Sequence, residues 1–226
     1  MSIFASASFT VSSDVDLATY TGEVGGGYTD HPHANYTTTF TIDAASDRIW
    51  SNGTAAYYVG AVPPSADYYS AADFWHVSTI SQNVAVCARM HETDDTMYLV
   101  RLNGGTIFEM RKIVATVATT LTGGTSTSNV PSAGNFTRGK LVVQGDQLSF
   151  YVLVAAVWTL IIGPITDTSI TAAGRAGVRN AGAASATTGM HLDNFEAGTL
   201  DVAAGPDPSF RVQLNRPAMF LPGTIR

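Results

Sequence analysis

The sequence predicts an all-β protein built as an antiparallel β-sandwich. Residue types that favour strands (Thr, Val, Tyr, Phe and Ile) recur along the chain, turn signals interrupt them at short intervals, and no stretch has a helical period. The chain has 226 residues, a length at which a β-sandwich often forms one domain. We therefore place the sandwich at residues 1–198 and an extended arm at residues 199–226.

The clearest hairpin joins strands at 96–102 and 106–114 through Asn103-Gly104-Gly105. Asn-Gly is a strong hairpin signal because both residues tolerate positive φ. The Gly, Ser and Thr residues of 121–135 predict a flexible loop. Weaker strand patterns lie at 8–11, 38–43, 47–51, 55–59, 69–77, 83–90, 175–179 and 190–197.

The uncharged run 147–166 has nearly the length of a membrane-spanning helix. Its β-branched and aromatic residues favour strands, and no Lys or Arg closely flanks it, so we predict paired strands at 147–154 and 157–162. A Gly-Asp turn joins the first of these to a strand at 140–144. Because alanine is poor in tight primed turns, we expect Ala155-Ala156 to belong to a wider loop.

The charge and cysteine content exclude several functions. Lysine and arginine total 12 against 18 aspartates and glutamates, which gives a net charge of −6. Nucleic-acid binders need a basic footprint, so we predict no nucleic-acid partner. One cysteine excludes an intramolecular disulfide framework. The N-terminus lacks the basic and apolar segments of a secretory signal, and we predict no membrane span.

Two segments resemble a known family. Gly25-Gly26-Gly27-Tyr28-Thr29 is similar to a "GGxWT" segment, and 166–179 followed by His191-Leu192-Asp193-Asn194-Phe195 is similar to a "D-S-x-I-x-x-G-x-x-G-[LV]-R … D-N-F" ending. The chain from about 8 to 197 thus resembles the laminin-G-like, concanavalin-A-like domains of bacteriophage particle proteins and some bacterial surface proteins. The resemblance implies a jelly-roll topology.

The resemblance also implies a structural calcium ion, which would be the only cofactor. The matching carboxylate of the last strand is Asp193, and its candidate partners in the opening segment are Asp14, Asp16 and Glu23, with backbone carbonyls. Carboxylate oxygens suit calcium. The alternative is that Asp193 accepts hydrogen bonds from loop amides, and the sequence leaves both open.

The sequence shows no catalytic cluster. Related jelly-roll glycosidases use a Glu-x-Asp-x-x-Glu strand, and the nearest match here, Glu92-Thr93-Asp94-Asp95, lacks the third carboxylate. There is no Gly-x-Ser-x-Gly nucleophile motif. Cys87 lies in an apolar strand, where a cysteine behaves as a small hydrophobic residue. We therefore predict no enzymatic activity.

Aromatic residues suggest a carbohydrate-binding platform. The candidate side chains are Trp50, Tyr57, Tyr58 and Trp75. Sugars present C–H faces that stack on aromatic rings, although a sandwich of this size also needs aromatic residues in its core. The sequence does not decide between a platform and a core.

The proline-rich arm suggests a binding segment. Four prolines exclude a helix, and apolar residues separated by polar ones suit an extended strand laid on another subunit. The alternative is that the arm wraps its own sandwich. The apolar anchors are Phe210, Leu214, Met219, Phe220 and Leu221.

These observations and the resemblance predict a structural virion protein of a bacteriophage. In this reading the chain decorates and stabilises a capsid, and its arm clamps neighbouring subunits. Its partners are capsid or tail proteins and further copies of itself, for which a trimer is one closed arrangement. The protein would lie at the virion surface after assembly in the bacterial cytoplasm. The alternative is a lectin-like adhesin or tail-fibre module that recognises a bacterial surface glycan.

Overall fold

The computed structural model describes residues 2–200, which form two antiparallel β-sheets packed face to face. This confirms the predicted all-β sandwich. One short 3-10 helix, Leu17–Thr19, interrupts the strands. The predicted arm anchors Phe210, Leu214, Met219, Phe220 and Leu221 lie outside the described residues.

The nine-stranded sheet has the order β14-β13-β12-β7-β16-β5-β4-β2, and β1 pairs with one end of β16. Its strands are β1 (Ile3–Ala7), β2 (Val15–Asp16), β4 (Thr41–Asp43), β5 (Arg48–Trp50), β7 (Tyr68–His76), β12 (Asn135–Gln144), β13 (Gln147–Val154), β14 (Val157–Thr166) and β16 (Met190–Thr199).

The seven-stranded sheet has the order β11-β10-β9-β8-β15-β6-β3. Its strands are β3 (Tyr28–Asp30), β6 (Ala55–Val59), β8 (Asn83–Met90), β9 (Met97–Asn103), β10 (Ile107–Val114), β11 (Val117–Ser126) and β15 (Arg175–Ala181). Neighbours such as β8 and β15 are distant in sequence, so the sheets are held by long-range pairing.

The core lies between the sheets because side chains alternate along each strand. Phe74 of β7, Phe108 of β10 and Phe150 of β13 meet there, with ring centroids 5.0 to 6.0 Å apart. The intervening side chains of the nine-stranded sheet point to its outer face. This alternation decides which residues can meet a ligand.

Two sequence predictions about strands need correction. The opening strand is Ile3–Ala7 rather than 8–11, where Phe9 has a φ of 54°. Part of the predicted loop 121–135 belongs to β11, which pairs with β10. Gly123 has a φ of 75° near an irregularity in this pairing, so the glycines that suggested a loop lie in a bulged strand.

The uncharged run forms β13 and β14, as predicted, but its turn is tighter than expected. Only Ala155 and Ala156 separate the strands, with φ values of 47° and 65°. These are left-handed conformations, which cost alanine about 1 kcal/mol or more each. The pairing of β13 with β14 offsets that cost. No helix within residues 2–200 is long and apolar enough to cross a membrane.

Replacing Ala155-Ala156 by Asn-Gly is expected to raise the free energy of unfolding by about 1 kcal/mol, because both new residues tolerate positive φ. Urea denaturation measures the change. Ala156→Val is the opposing control, since a β-branched side chain tolerates positive φ poorly and should destabilise the protein. A less stable Asn-Gly variant would show that the turn stores no strain.

Candidate functional site

The candidate site is a row of aromatic residues on the outer face of the nine-stranded sheet. Phe136 of β12 pairs with Trp75 of β7, which pairs with His191 of β16. The pairing of Ile49 with Leu192 places Trp50 in register with His191. The row therefore crosses four neighbouring strands.

The ring of Trp75 is already covered by its neighbours. The Phe136 ring packs on it with a centroid distance of 4.9 Å, and the Arg48 guanidinium carbon lies 4.7 Å from its centroid. By contrast, Phe136 is 49% exposed. The surface on which another ring could stack is therefore Phe136, held in place by Trp75.

Three nitrogen atoms in this row are buried without a hydrogen-bond partner among residues 2–200. They are the indole Nε1 atoms of Trp50 and Trp75 and the Nδ1 atom of His191. Burial lowers the pKa of His191, whose Nε2 lies 2.9 Å from the carbonyl oxygen of Ser185. Unpartnered buried polar atoms are uncommon in folded proteins. Their concentration in one row marks it as unusual.

An open groove of about 600 Å³ begins at Phe136. Its apolar wall includes Leu153 and Val154 of the β13–β14 hairpin, and its polar lining includes Asn135 and Arg138. Small-molecule sites commonly have volumes of about 300 to 1,000 Å³ and combine apolar walls with a few polar groups. The groove is open to solvent and combines an apolar wall with polar groups, as small-molecule sites do.

Charged residues form the next row along the same face. The Arg138 guanidinium contacts an Asp73 oxygen at 3.1 Å and donates to the backbone oxygen of Asn194 at 2.7 Å. The side-chain amide of Asn194 donates to the other Asp73 oxygen at 2.9 Å. This network fixes Arg138 beside the groove.

Asp193 lies in the same row and carries a perturbed carboxyl group. Burial raises its pKa to about 7, and the negative charges of Asp73 and Asp47 act in the same direction. A hydrogen bond from the backbone N–H of Asn194 opposes this rise in pKa without cancelling it. The group is therefore largely protonated in mildly acidic solution.

The four aromatic residues of the predicted platform do not share one surface. Trp50 and Trp75 lie on the outer face of the nine-stranded sheet. Tyr57 is buried between the sheets, where it packs on Phe40 with a ring-centroid distance of 5.8 Å. Tyr58 is the next residue of β6, so alternation turns it to the outer face of the opposite sheet.

The predicted calcium ligands each bond to nearby groups instead of converging. Asp14 accepts from the Ala44 amide at 2.9 Å, and Asp16 accepts from the Ala18 amide at 2.8 Å. Asp193 accepts from the Asn194 amide at 2.6 Å. Within residues 2–200, no three His, Cys, Asp or Glu side chains are grouped to hold a metal ion. The amide-binding alternative describes the observed contacts.

The residues considered for catalysis have structural contacts. Glu92 accepts from Arg175 at 2.9 Å, and its neighbour Asp94 lies 3.5 Å from the His91 ring. Burial raises the pKa of Cys87 to about 12, so its thiol remains protonated at neutral pH. Cys87 is fully buried, in keeping with its interpretation as a small hydrophobic residue.

Sequence reasoning missed Phe136, the most exposed aromatic residue of the row. It follows a Ser-, Gly- and Asn-rich segment whose composition predicts a loop. The alternation of side chains along a strand could have located it. Leu141 and Val143 of β12 face the core, so Phe136 and Arg138 lie on the other face.

Comparison with solved structures shows that other proteins share this fold. The carbohydrate-binding module CBM66 from Bacillus subtilis is similar with a TM-score of 0.54 and 14% identity, over 76% of this chain and 92% of that chain. The VIP36 exoplasmic/lumenal domain, in a form bound to Ca²⁺ and mannose, is similar with a TM-score of 0.54 and 9% identity, over 90% and 93% of the two chains.

These identities are low, so the likeness shows the fold alone. Together with the two antiparallel sheets, it confirms the concanavalin-A-like sandwich that the sequence predicted. No protein-family model matches the chain. No curated protein matches it either.

Proposed function

We propose that the sandwich is a carbohydrate-binding domain whose ligand stacks on Phe136. The observation that carries this proposal is the half-exposed Phe136 ring at the mouth of the 600 Å³ groove, backed by Trp75. A sugar would place a C–H face on the ring and its hydroxyl groups near Asn135 and Arg138.

The fold comparisons support this proposal. One neighbour is named a carbohydrate-binding module, and the other is a domain solved with mannose bound. The carbohydrate-binding alternative drawn from the sequence therefore has more support than the capsid-decoration reading. The ligand site proposed here keeps Trp75 from the predicted platform as the support of the stacking ring.

Phe136→Ala is expected to weaken glycan binding about tenfold, because a lost aromatic stacking contact costs about 0.5 to 1.5 kcal/mol beyond the buried area. The ligand would first be found by screening the purified protein on an array of bacterial surface glycans. Titration calorimetry with the strongest hit then compares the variant with the wild-type protein.

Two matched variants sharpen the test. Phe136→Trp keeps an aromatic face and should preserve binding. Val117→Ala removes an apolar side chain that is 66% exposed on the other sheet, and it should leave binding unchanged. Equal binding by Phe136→Ala and the wild-type protein would place the glycan elsewhere. The absence of any array hit would contradict the proposal itself.

A structural role on a bacteriophage particle is the second candidate function. The observation that favours it is a set of exposed apolar side chains on the β13–β14 hairpin at one end of the nine-stranded sheet. Val157 is 64% exposed and Leu160 is 41% exposed, which suits contact with capsid or tail proteins. In this role the predicted arm would clamp adjacent subunits.

Quantitative mass spectrometry of purified particles from the source tests this second candidate. A copy number comparable to that of the major shell protein would support capsid decoration, and a few copies would support a tail or fibre role. Complete absence from particles would reject the virion role and leave the glycan-binding role alone.

A further inference from the structure

A small cavity on the outer face of the seven-stranded sheet is lined by three arginines. Arg101 of β9, Arg111 of β10 and Arg179 of β15 surround a volume of about 90 Å³. Ala85 of β8 pairs with Arg101 on one side and Arg179 on the other, so its small side chain leaves space between them. The remaining lining is formed by Leu99, Ile113, Ala118 and Ala181.

Only one of the three arginines has a carboxylate partner within residues 2–200. Arg101 binds an oxygen of Glu109 through Nε at 2.7 Å and through Nη2 at 2.5 Å. The other oxygen of Glu109 accepts from the Asn103 amide at 3.2 Å. Neither Arg111 nor Arg179 lies within salt-bridge distance of a described carboxylate.

The two remaining guanidinium groups are incompletely satisfied. Arg111 donates through Nη2 to the carbonyl oxygen of Ala118 at 3.3 Å. Arg179 forms a side-chain hydrogen bond with Tyr36, and its guanidinium carbon lies 5.7 Å from the Tyr36 ring centroid. Their Nε atoms are buried with no hydrogen-bond partner among residues 2–200. An unsatisfied buried donor on a charged group is costly, which makes these two atoms unusual.

The charges around the cavity do not balance. Three guanidinium groups and one carboxylate leave an excess of positive charge in a chain whose net charge is −6. Burial lowers the pKa of Arg111, and the positive charges of Arg101 and Arg179 act in the same direction, while the Glu109 carboxylate acts against them. An anion between the guanidinium groups would relieve this repulsion and accept from both Nε atoms.

We infer that this cavity binds an oxyanion, the carboxylate or sulfate group of a ligand, between Arg111 and Arg179. A guanidinium offers Nε–H and Nη–H as a fork that matches two oxygens of such a group. The volume of 90 Å³ is small beside the roughly 300 to 1,000 Å³ of typical small-molecule sites, which suits a single charged group. The site lies on the opposite sheet from Phe136, so it does not depend on the proposed function.

Titration calorimetry on the full chain tests this inference with sodium sulfate and sodium glucuronate as probes and uncharged glucose as reference. Ionic strength is held constant with sodium chloride. We expect at least one anion to bind with a Kd of about 1 mM, and glucose not to bind this site. Sulfate binding alone would identify a tetrahedral oxyanion, and glucuronate binding alone would identify a carboxylate.

Three variants locate the site. Arg179→Lys keeps the charge but loses the fork, and we expect it to weaken anion binding at least tenfold. Ala118→Leu fills the cavity without changing charge and should have the same effect. Arg175→Gln, on the same strand but outside the cavity, should bind like the wild-type protein. Equal binding by Arg179→Lys and Arg175→Gln, or no binding of either anion at about 50 mM, would overturn the inference.

Discussion

Replacing Arg89 by methionine is expected to lower the free energy of unfolding by about 3 to 5 kcal/mol. Arg89 is almost fully buried at 3% exposure. Its guanidinium donates to the backbone oxygens of Ala66 at 3.1 Å, Ile170 at 2.6 Å and Gly145 at 2.7 Å. Methionine fills similar volume but has no donor, so three carbonyl groups would lose their partner at once.

The magnitude follows from the charge of the donor. Hydrogen bonds that involve a charged group contribute about 1.5 to 3 kcal/mol each, and the three bonds share one side chain, so they are not additive. Arg89 also lies 3.5 Å from Asp67, a half-exposed carboxylate that water can solvate after the substitution. Most of the expected loss therefore comes from the buried bond to the Ile170 carbonyl oxygen, since the bonds to Ala66 and Gly145 are only partly buried.

Urea denaturation of Arg89→Met beside Arg175→Met measures the effect. Arg175 also binds a carboxylate, but its partner Glu92 is more than half exposed. We therefore expect Arg175→Met to lower the free energy of unfolding by about 1 kcal/mol or less. Arg89→Lys should fall between the two, because an ammonium cannot reach all three carbonyl oxygens. A loss below about 1 kcal/mol for Arg89→Met would contradict a structural role for the guanidinium.

The part of the fold that local patterns control could be predicted from the sequence. The hairpin at Asn103 and the strands of the 147–166 run depend on neighbouring residues, and both were located correctly. The turn at Ala155 and the bulged strand β11 were not, because tertiary pairing there overrides the preferences of alanine and glycine. Local propensity is a weak guide wherever long-range pairing supplies the energy.

The candidate site was harder to predict from the sequence, because long-range strand pairing brings its residues together. Aromatic composition selected Trp75, which lies on the outer face of the nine-stranded sheet under Phe136 and Arg48, and also Tyr57, which alternation buries in the core. The strand pattern at 83–90 gives no sign of the contacts of Arg89, since the three oxygens it reaches lie 23, 56 and 81 residues away along the chain. The arginines that line the small cavity likewise come from three strands, and only the sheet order brings them together.

The second large effect concerns the pH dependence of stability, and we assign it to Asp193. Its pKa is about 7 in the folded protein and about 3.9 in an unfolded chain. Between these values the folded state keeps a proton that the unfolded state has released. The contribution of this group to stability is therefore complete below about pH 4 and is lost as the pH rises through about 7.

Asp193→Asn is expected to remove this dependence, because an amide has the shape of the protonated carboxyl group and does not ionise. Between pH 4 and pH 8, we expect the free energy of unfolding of the variant to rise by about 2 kcal/mol relative to that of the wild-type protein. This is roughly half of what the pKa difference between the folded and unfolded states would give, since Asp193 is partly exposed to solvent. Urea denaturation at several pH values measures the difference. Asp146→Asn changes an exposed turn residue and is the control. Its free energy of unfolding should depend on pH in the same way as that of the wild-type protein.

The same measurement tests the calcium prediction. A calcium ion on Asp193 would favour the ionised carboxylate, so calcium would raise the stability of the wild-type protein at pH 8 and leave Asp193→Asn unchanged. We expect no such gain, because Asp14 and Asp16 already accept hydrogen bonds from the Ala44 and Ala18 amides. A calcium-dependent gain that disappears in Asp193→Asn would show that these carboxylates rearrange around the ion. If calcium does not change the stability of the wild-type protein at pH 8, burial remains the cause of the raised pKa of Asp193.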